Sequence, residues 1–285
     1  MSLLTMSVLR LTQITDTHLS PRFPQFHANF DCVREHLDHD RPDIVIHTGD
    51  VAFDGTGHPA DLAFAKAEHD AIAAECRFIP GNHDIGDNDT LVGPSPKDRA
   101  SGDTAGAFTG VFGADRWRFD AAGWSFIGLN SLIMNTVPDA EAEQHDWLAS
   151  ELSRLNGQPL ALFIHKPLFR TAPDDAELAA SSFRYIPQPS RQRLLDMLGS
   201  IDLRLVACGH VHQRRDFTYD HVRHIWGPSA SFIIAPDEKQ EPIGVKETGL
   251  VEYTFRPDSF EVRHTRAVGQ TDLDLYSSIP PEALH

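Results

Sequence analysis

The stretch CRFIPGNHD, residues 76–84, carries an apolar run through Pro80 and Gly81 directly into Asn82, His83 and Asp84. A short apolar segment closed by Pro and Gly reads as a buried strand that stops at a tight turn. Three side chains able to bind metal or move protons then stand at the carboxyl end of a strand, where open α/β sheets collect their ligands.

The same punctuation occurs twice upstream. Residues 8–15 alternate and end at Asp16, FHANFDCVREHLDHD (26–40) has helical spacing, and DIVIHTGD (43–50) is an apolar run ending at Asp50. HPADLAFAKAEHDAIAAE (58–75) reads as a helix with Pro59 in its first turn. Strand, helix, strand, helix, strand is the pattern of right-handed βαβ units and a largely parallel sheet.

Downstream, residues 85–110 are rich in Gly, Asp, Pro and Ser without a sustained period. They predict a long loop and a candidate lid, a role also open to the C-terminal region. RWRFDAAGWSFIGLNS (116–131) predicts two strands around residues 121–123, and DAEAEQHDWLASELSRLNG (139–157) a helix with an acidic first turn and Arg154 in its last. LALFIHKP (160–167) is a buried strand, SRQRLLDMLGS (190–200) a helix capped by Ser190, and LRLVACGHVH (203–212) a strand ending in two histidines. Several strand-like runs follow between 216 and 264. With no internal repeat and no linker, a single domain over 1–285 is expected.

Composition narrows the function. At 285 residues with 41% hydrophobic and 23% charged content, the chain suits a globular protein, and no apolar run approaches the roughly 18 residues of a membrane span. The start, MSLLTMSVLRLTQITD, lacks a basic region ahead of its apolar residues and a cleavage site, so an unsecreted protein is expected. Cys32, Cys76 and Cys208 are odd in number and far apart, which argues against a disulfide framework and for the cytoplasm. The 25 basic against 41 acidic residues give a net charge of −16, which disfavours nucleic acid polymers as substrates. The pattern Asn88-Asp89-Thr90 fits a glycosylation site but lacks an export signal to go with it.

Asp16 and His18, Asp50, Asn82 with His83 and Asp84, His165, and His210 with His212 all follow apolar strands. Packing so many carboxylates and imidazoles at one sheet edge without a cation would cost several kcal/mol in repulsion and desolvation. Two divalent ions about 3.5–4 Å apart, sharing a carboxylate, remove that conflict. The other eleven histidines, His47 among them, read as packing or exposed residues.

In order, DTH, GDVAFDG, GNHD, HKP and GHVH resemble the calcineurin-like metallophosphoesterases, over residues 16–212. That resemblance implies an α/β fold, a four-layer α/β/β/α sandwich of two mixed sheets, with the strands after His212 in the second sheet. It implies one metal on Asp16, His18 and His212, a second on Asn82, His165 and His210, and Asp50 bridging. The two ions would be divalent transition metals, Mn, Fe, Zn or Co. His83 would contact the substrate phosphate or protonate the leaving oxygen, and Asp84 would either orient His83 or cap the loop.

Asp50 to Gly55, GD(x)4G, together with GNHD is similar to bacterial class III cyclic nucleotide phosphodiesterases and related glycerophosphodiesterases. Phe53 stands where purple acid phosphatases have Tyr, and the Arg-Gly and GNHE of serine/threonine phosphatases are missing. The expected reaction is in-line attack of a metal-bridging hydroxide on a small phosphodiester, with a 3',5'-cyclic nucleotide as one substrate. Glycerophosphodiesters or phosphonate monoesters are the alternative, with a nuclease or a noncatalytic interaction module behind them. Arg170, Arg184 and Arg214 are candidates for neutralising a substrate phosphate, against ordinary salt bridging. Homo-oligomerisation is left open.

Overall fold

Alternation along the strands sorts the apolar side chains of two sheets into three layers. The computed structural model describes residues 7–89, 98–174, 182–237 and 239–280. In the first sheet β1 (Leu9–Ile14), β2 (Ile44–His47) and β3 (Glu75–Phe78) are parallel, and β10 (Leu250–Arg256) and β11 (Ser259–Thr265) continue antiparallel from the other edge of β1. The second sheet contains β4 (Trp117–Ala121), β5 (Trp124–Gly128), β6 (Leu160–Phe163), β7 (Leu203–Cys208), β8 (Arg215–Tyr219) and β9 (Val222–Trp226). Its order is β4-β5-β6-β7-β9-β8, with a parallel centre and antiparallel edges.

Odd-numbered Leu9 and Leu11 and even-numbered Ile44 and Ile46, with Tyr253 of the same sheet, face the second sheet, where they meet Phe126, Phe163 and Ala207. Their neighbours Ile14 and Val45 face outward onto Phe30, Val33 and Leu37 of α1 (His27–Asp40) and Leu62 and Ala65 of α2 (Ala60–His69). On the far side, Leu160, Leu162 and Val206 meet Leu148 of α5 (Pro138–Leu152) and Leu194 and Leu198 of α6 (Gln188–Leu198). Each fully buried aliphatic side chain stabilises this four-layer α/β/β/α sandwich by roughly 1.5–3 kcal/mol. The central strands β2, β5, β6 and β7 are therefore buried on two faces, which explains why they read as nearly continuous apolar runs.

The tail strands depart from expectation. β8 and β9 join the second sheet, but β10 and β11 join the first, because β1 pairs with β2 on one edge only and the register Leu11↔Tyr253 completes its other edge. The Ala-rich stretch after His69 is not helical. The β2 ladder fixes Glu75 opposite Ile44, and the turn closed by Ile72 N–H on the His69 carbonyl brings the chain into that register. Tertiary pairing here overrides helix propensity.

Part of the predicted 85–110 loop is helical: α3 (Asn82–Ile85) is a single turn, and α4 runs over Gly102–Phe112. Ser101 and Thr104 form a capping box that starts α4, and Phe108 buries the helix in the core despite its glycines. Residues 90–97 of that lid candidate lie outside the described residues. Arg154 lies beyond the last turn of α5, and Ser190 lies inside α6, whose start is set by Pro189. Asn88 is buried and its amide donates to the carbonyls of Ser131, Leu132 and Met134 at 2.9, 3.0 and 2.8 Å, an arrangement with no room for a glycan.

His69 shows what burial does to a histidine away from the strand ends. Its Nδ1–H donates to the Ala65 carbonyl at 2.8 Å, while Nε2 is buried without a partner between Phe30, His47 and Phe78. Burial pushes its pKa from 6.5 down to about 4. The unfolded chain therefore binds the extra proton between those values, so stability is complete above pH 6.5 and falls as the pH drops toward 4. A displacement of that size couples on the order of 3 kcal/mol to folding. His69→Leu is expected to flatten the decline in urea midpoint between pH 7 and 4.5, and an identical slope in the variant would refute the assignment.

Candidate metal centre

Three of the five strand ends that carry polar residues, those of β1, β2 and β7, turn through the left-handed region as their side chains emerge. Among the described residues eleven non-glycine residues have positive φ, and five of them are Asp16, His18, Asp50, His210 and His212, with φ between 46° and 70°. Asp and His enter this left-handed region more readily than branched residues do, and its cost is borne where surrounding structure holds the turn. Here Asp16 and His18 N–H groups donate to the Gly49 and Asp50 carbonyls at 3.0 Å each, which locks the first loop onto the second.

Two groups of side chains result. Asp16, His18, Asp50 and His212 have ligand atoms within 4.8 Å of one another, as do Asp50, His165 and His210. Asp50 belongs to both: its Oδ2 lies 3.8 Å from His18 Nε2 and 3.4 Å from His165 Nε2, while its Oδ1 accepts the His83 N–H at 2.8 Å. Asn82 joins the second group, with Oδ1 3.2 Å from His165 Nε2. All are buried except Asn82 and His210, which are partly exposed.

The ring tautomers follow from partners that can only accept. His165 Nδ1 faces the Thr48 carbonyl at 2.7 Å, His212 Nδ1 the Phe232 carbonyl at 3.0 Å, and His210 Nε2 the Phe183 carbonyl at 3.3 Å. Each of these nitrogens carries the proton, which leaves the other ring nitrogen a lone pair, the form a metal ligand needs. His18 Nε2 and His212 Nε2 converge to 3.1 Å, and Asp16 Oδ1 lies 3.3 Å from the latter. His18 Nδ1 is buried with no partner. Mixed carboxylate, amide and imidazole donors converging in this way fit divalent transition metals.

Electrostatics point the same way. Burial alone would raise the Asp50 carboxyl, but His165 and His83 beside it hold it well below the usual range. For His165, burial opposes protonation, yet the charge and hydrogen bond of Asp50 push it up to about 9. Burial drives His18 and His210 well down, His18 next through His83 and His210 through Lys166. The cluster thus draws in positive charge that its own histidines supply incompletely.

His83 gives its Nδ1–H to the Phe53 carbonyl at 2.7 Å and stands edge-on to His18, with ring centroids 4.6 Å apart. Its Nε2 is the nitrogen left for proton transfer. Asp84 does not orient it. The Asp84 carboxylate accepts from Gly81 N at 2.8 Å, Ala52 N at 2.8 Å and Val51 N at 3.2 Å, capping GNHD and tying it to GDVA. Burial, then the Asp50 charge, push the Asp84 carboxyl up to about 7 against those donors.

The arginines are placed differently. Arg170 pairs with Glu241 at 3.3 Å and Arg214 with Glu247. Arg184 lies over the Phe183 ring at 5.2 Å, next to the carbonyl that holds His210. Its preceding segment, 175–181, is outside the described residues. Sequence reasoning missed Lys166, which is buried with its ammonium on Asp87 and follows His165 directly in HKP. It also missed Phe232, whose ring packs 4.7 Å from His18 and whose carbonyl fixes His212; nothing in the sequence around it marks that role.

A family model described as calcineurin-like phosphoesterase matches residues 9–214. A 3',5'-cyclic-nucleotide phosphodiesterase of Nostoc sp. is 26% identical over 240 residues, 79% of each chain. A protein of Arcobacter nitrofigilis named probable glycerophosphodiester phosphodiesterase is 23% identical over 274 residues, 89% of this chain and 88% of that one. In three dimensions the chain is similar to a dimetal phosphatase from Danio rerio, with a TM-score of 0.64 at 13% identity, covering 92% of this chain and 98% of the other.

Gly81 bears on all of this geometry, since a Cβ there would run into the carboxylate and backbone nitrogen of Asp50. Gly81→Ala is expected to keep the fold but to lower metal retained after dialysis at least about tenfold in affinity, by displacing the shared carboxylate. Elemental analysis alongside circular dichroism checks it, and full metal retention would contradict the placement of Asp50 between the groups.

Proposed function

The chain belongs to the calcineurin-like phosphoesterase family and is a metal-dependent phosphoric ester hydrolase, and from that premise we propose that it hydrolyses a small phosphodiester at a dinuclear centre. The observation that carries the reading is Asp50, whose Oδ2 faces His18 of one group and His165 of the other. Asp16, His18 and His212 would hold one cation and Asn82, His165 and His210 the second, with Asp50 common to both. When bound, such a pair activates water as a nucleophile and neutralises charge on the phosphoryl oxygens.

The chain's own residues do the rest. The strand-end turns fix the donors before substrate arrives, so little reorganisation is needed. His83, partly exposed and held by Phe53, would in its imidazolium form give the Nε2 proton to the leaving alkoxide as its bond to phosphorus breaks and the bond to the attacking hydroxide oxygen forms, leaving the neutral ring. A phosphomonoester and an alcohol are released, or one opened ring. Asn82 meets the same phosphate from the adjoining position, and Arg184, at the His210 side, is the best placed of the three arginines to reach it.

A 3',5'-cyclic nucleotide is the first substrate class, supported by the likeness to the Nostoc protein. A glycerophosphodiester is the second, supported by the longer alignment with the Arcobacter protein. We further take residues 1–285 to act as a single domain, with Mn, Fe, Zn or Co as the resident pair. Three free cysteines fit the reducing cytoplasm. No helix among the described residues is long and apolar enough to cross a membrane.

Turnover of cyclic nucleotides, glycerophosphodiesters, phosphonate monoesters and bis(p-nitrophenyl) phosphate, each with each metal, tests the reading. Activity confined to monoesters would overturn it. His83→Ala is expected to retain both metals and to lose on the order of 100-fold in kcat on substrates with poor leaving groups, and much less on the nitrophenyl diester. Equal losses on both would remove the proton-donor role.

A further inference from the structure

One amide lies where the two sheets meet beneath the centre. Gln13 points into the layer between the sheets, on the same face of β1 as Leu9 and Leu11, and is buried. Its Nε2 donates to Thr48 Oγ1 at 2.9 Å and to the Cys208 carbonyl at 3.0 Å, and its Oε1 accepts the Tyr253 hydroxyl at 2.7 Å. The Cys208 carbonyl can only accept, so the amide orientation is fixed, and Tyr253 must donate.

These partners are not scattered. Thr48 precedes Asp50 by two residues, Cys208 precedes His210 by two, and Gln13 precedes Asp16 by three. Thr48 also accepts the His165 Nδ1–H through its carbonyl, and the His165 carbonyl accepts the Gly209 N–H at 3.0 Å. One side chain thus ties the ends of β1 and β2 in the first sheet to the end of β7 in the second. The two ligand sets straddle that seam. Gly227 sits against the amide, where a Cβ would come within 3.2 Å of Nε2.

A residue such as Leu would fill much of this space but would leave the Tyr253 hydroxyl, Thr48 Oγ1 and the Cys208 carbonyl without their Gln13 partner, so the amide is tied to this position by groups it alone satisfies. Such networks define one geometry where apolar packing admits several. We propose that Gln13, steered by Tyr253, is a positioning residue that sets the spacing between the two ligand sets. It touches neither substrate nor cation and acts through Thr48 and Cys208. The inference rests on the two-cation reading above.

Manganese(II) titrated into metal-free wild type, Gln13→Leu and Tyr253→Phe, followed by electron paramagnetic resonance and calorimetry, tests it. Wild type is expected to take two equivalents and show an exchange-coupled pair. Gln13→Leu is expected to weaken the second equivalent roughly tenfold or more and to change the coupling, with unchanged circular dichroism. Tyr253→Phe is expected to shift both in the same direction by less. Two equivalents with wild-type coupling and affinity in both variants overturns the positioning role and leaves the two-cation reading standing. Fewer than two equivalents in wild type removes both. Should Gln13→Leu fail to fold, Tyr253→Phe decides, and wild-type coupling there is the refuting result.

Discussion

A single carboxylate shared between two imidazole clusters is the constraint around which the molecule is arranged. Asp50 can face both His18 and His165 only if the first sheet, which carries Asp50, meets the second, which carries His165, at one common edge. The sandwich satisfies this by stacking the parallel strands of both sheets with their carboxyl ends together. Gly49 makes the approach feasible: it has φ of 98°, and a Cβ there would lie 2.5 Å from His165 Nδ1. The glycine in GD is therefore required by close packing across the sheets, as well as by its turn.

Much of this was legible in the sequence because two periodicities carried it. Continuous apolar runs marked β2, β6 and β7 as buried on both faces, and the polar residue closing each run marked the edge where they converge. The order of DTH, GD, GNHD, HKP and GHVH then brought every member of the two clusters into view. Pairing of β10 with β1 was not legible, since a strand's own pattern says which face is apolar but not which edge will receive it. Local propensity also misled at residues 70–74 and 102–112, where sheet register and a capping box outweighed alanine and glycine content.

What holds the ligands was far less visible than the ligands. The proton on three of the four clustered imidazoles is set by a backbone carbonyl: Thr48 for His165, Phe232 for His212, Phe183 for His210. A carbonyl belongs to every residue and has no sequence signature, so these partners emerge only when the chain is folded. The same holds for Asp84. Its sequence position beside His83 left orienting and capping equally open, and its three N–H donors decide for capping.

The net charge of −16 sharpens what such a centre can accept. On the two-cation reading, positive charge would be concentrated in one small, largely buried cluster of a chain that is acidic overall. A single phosphodiester brings one negative charge, and that charge is met inside the cluster at short range. A polymer brings many, and the chain's net negative charge opposes their approach, an effect that physiological salt screens beyond roughly 8–10 Å. The sequence holds no long run of basic residues with which to release counterions from such a strand. On that reading discrimination by size follows from charge, with the cation pair attracting one phosphate and the net acidity of the chain disfavouring a polymer.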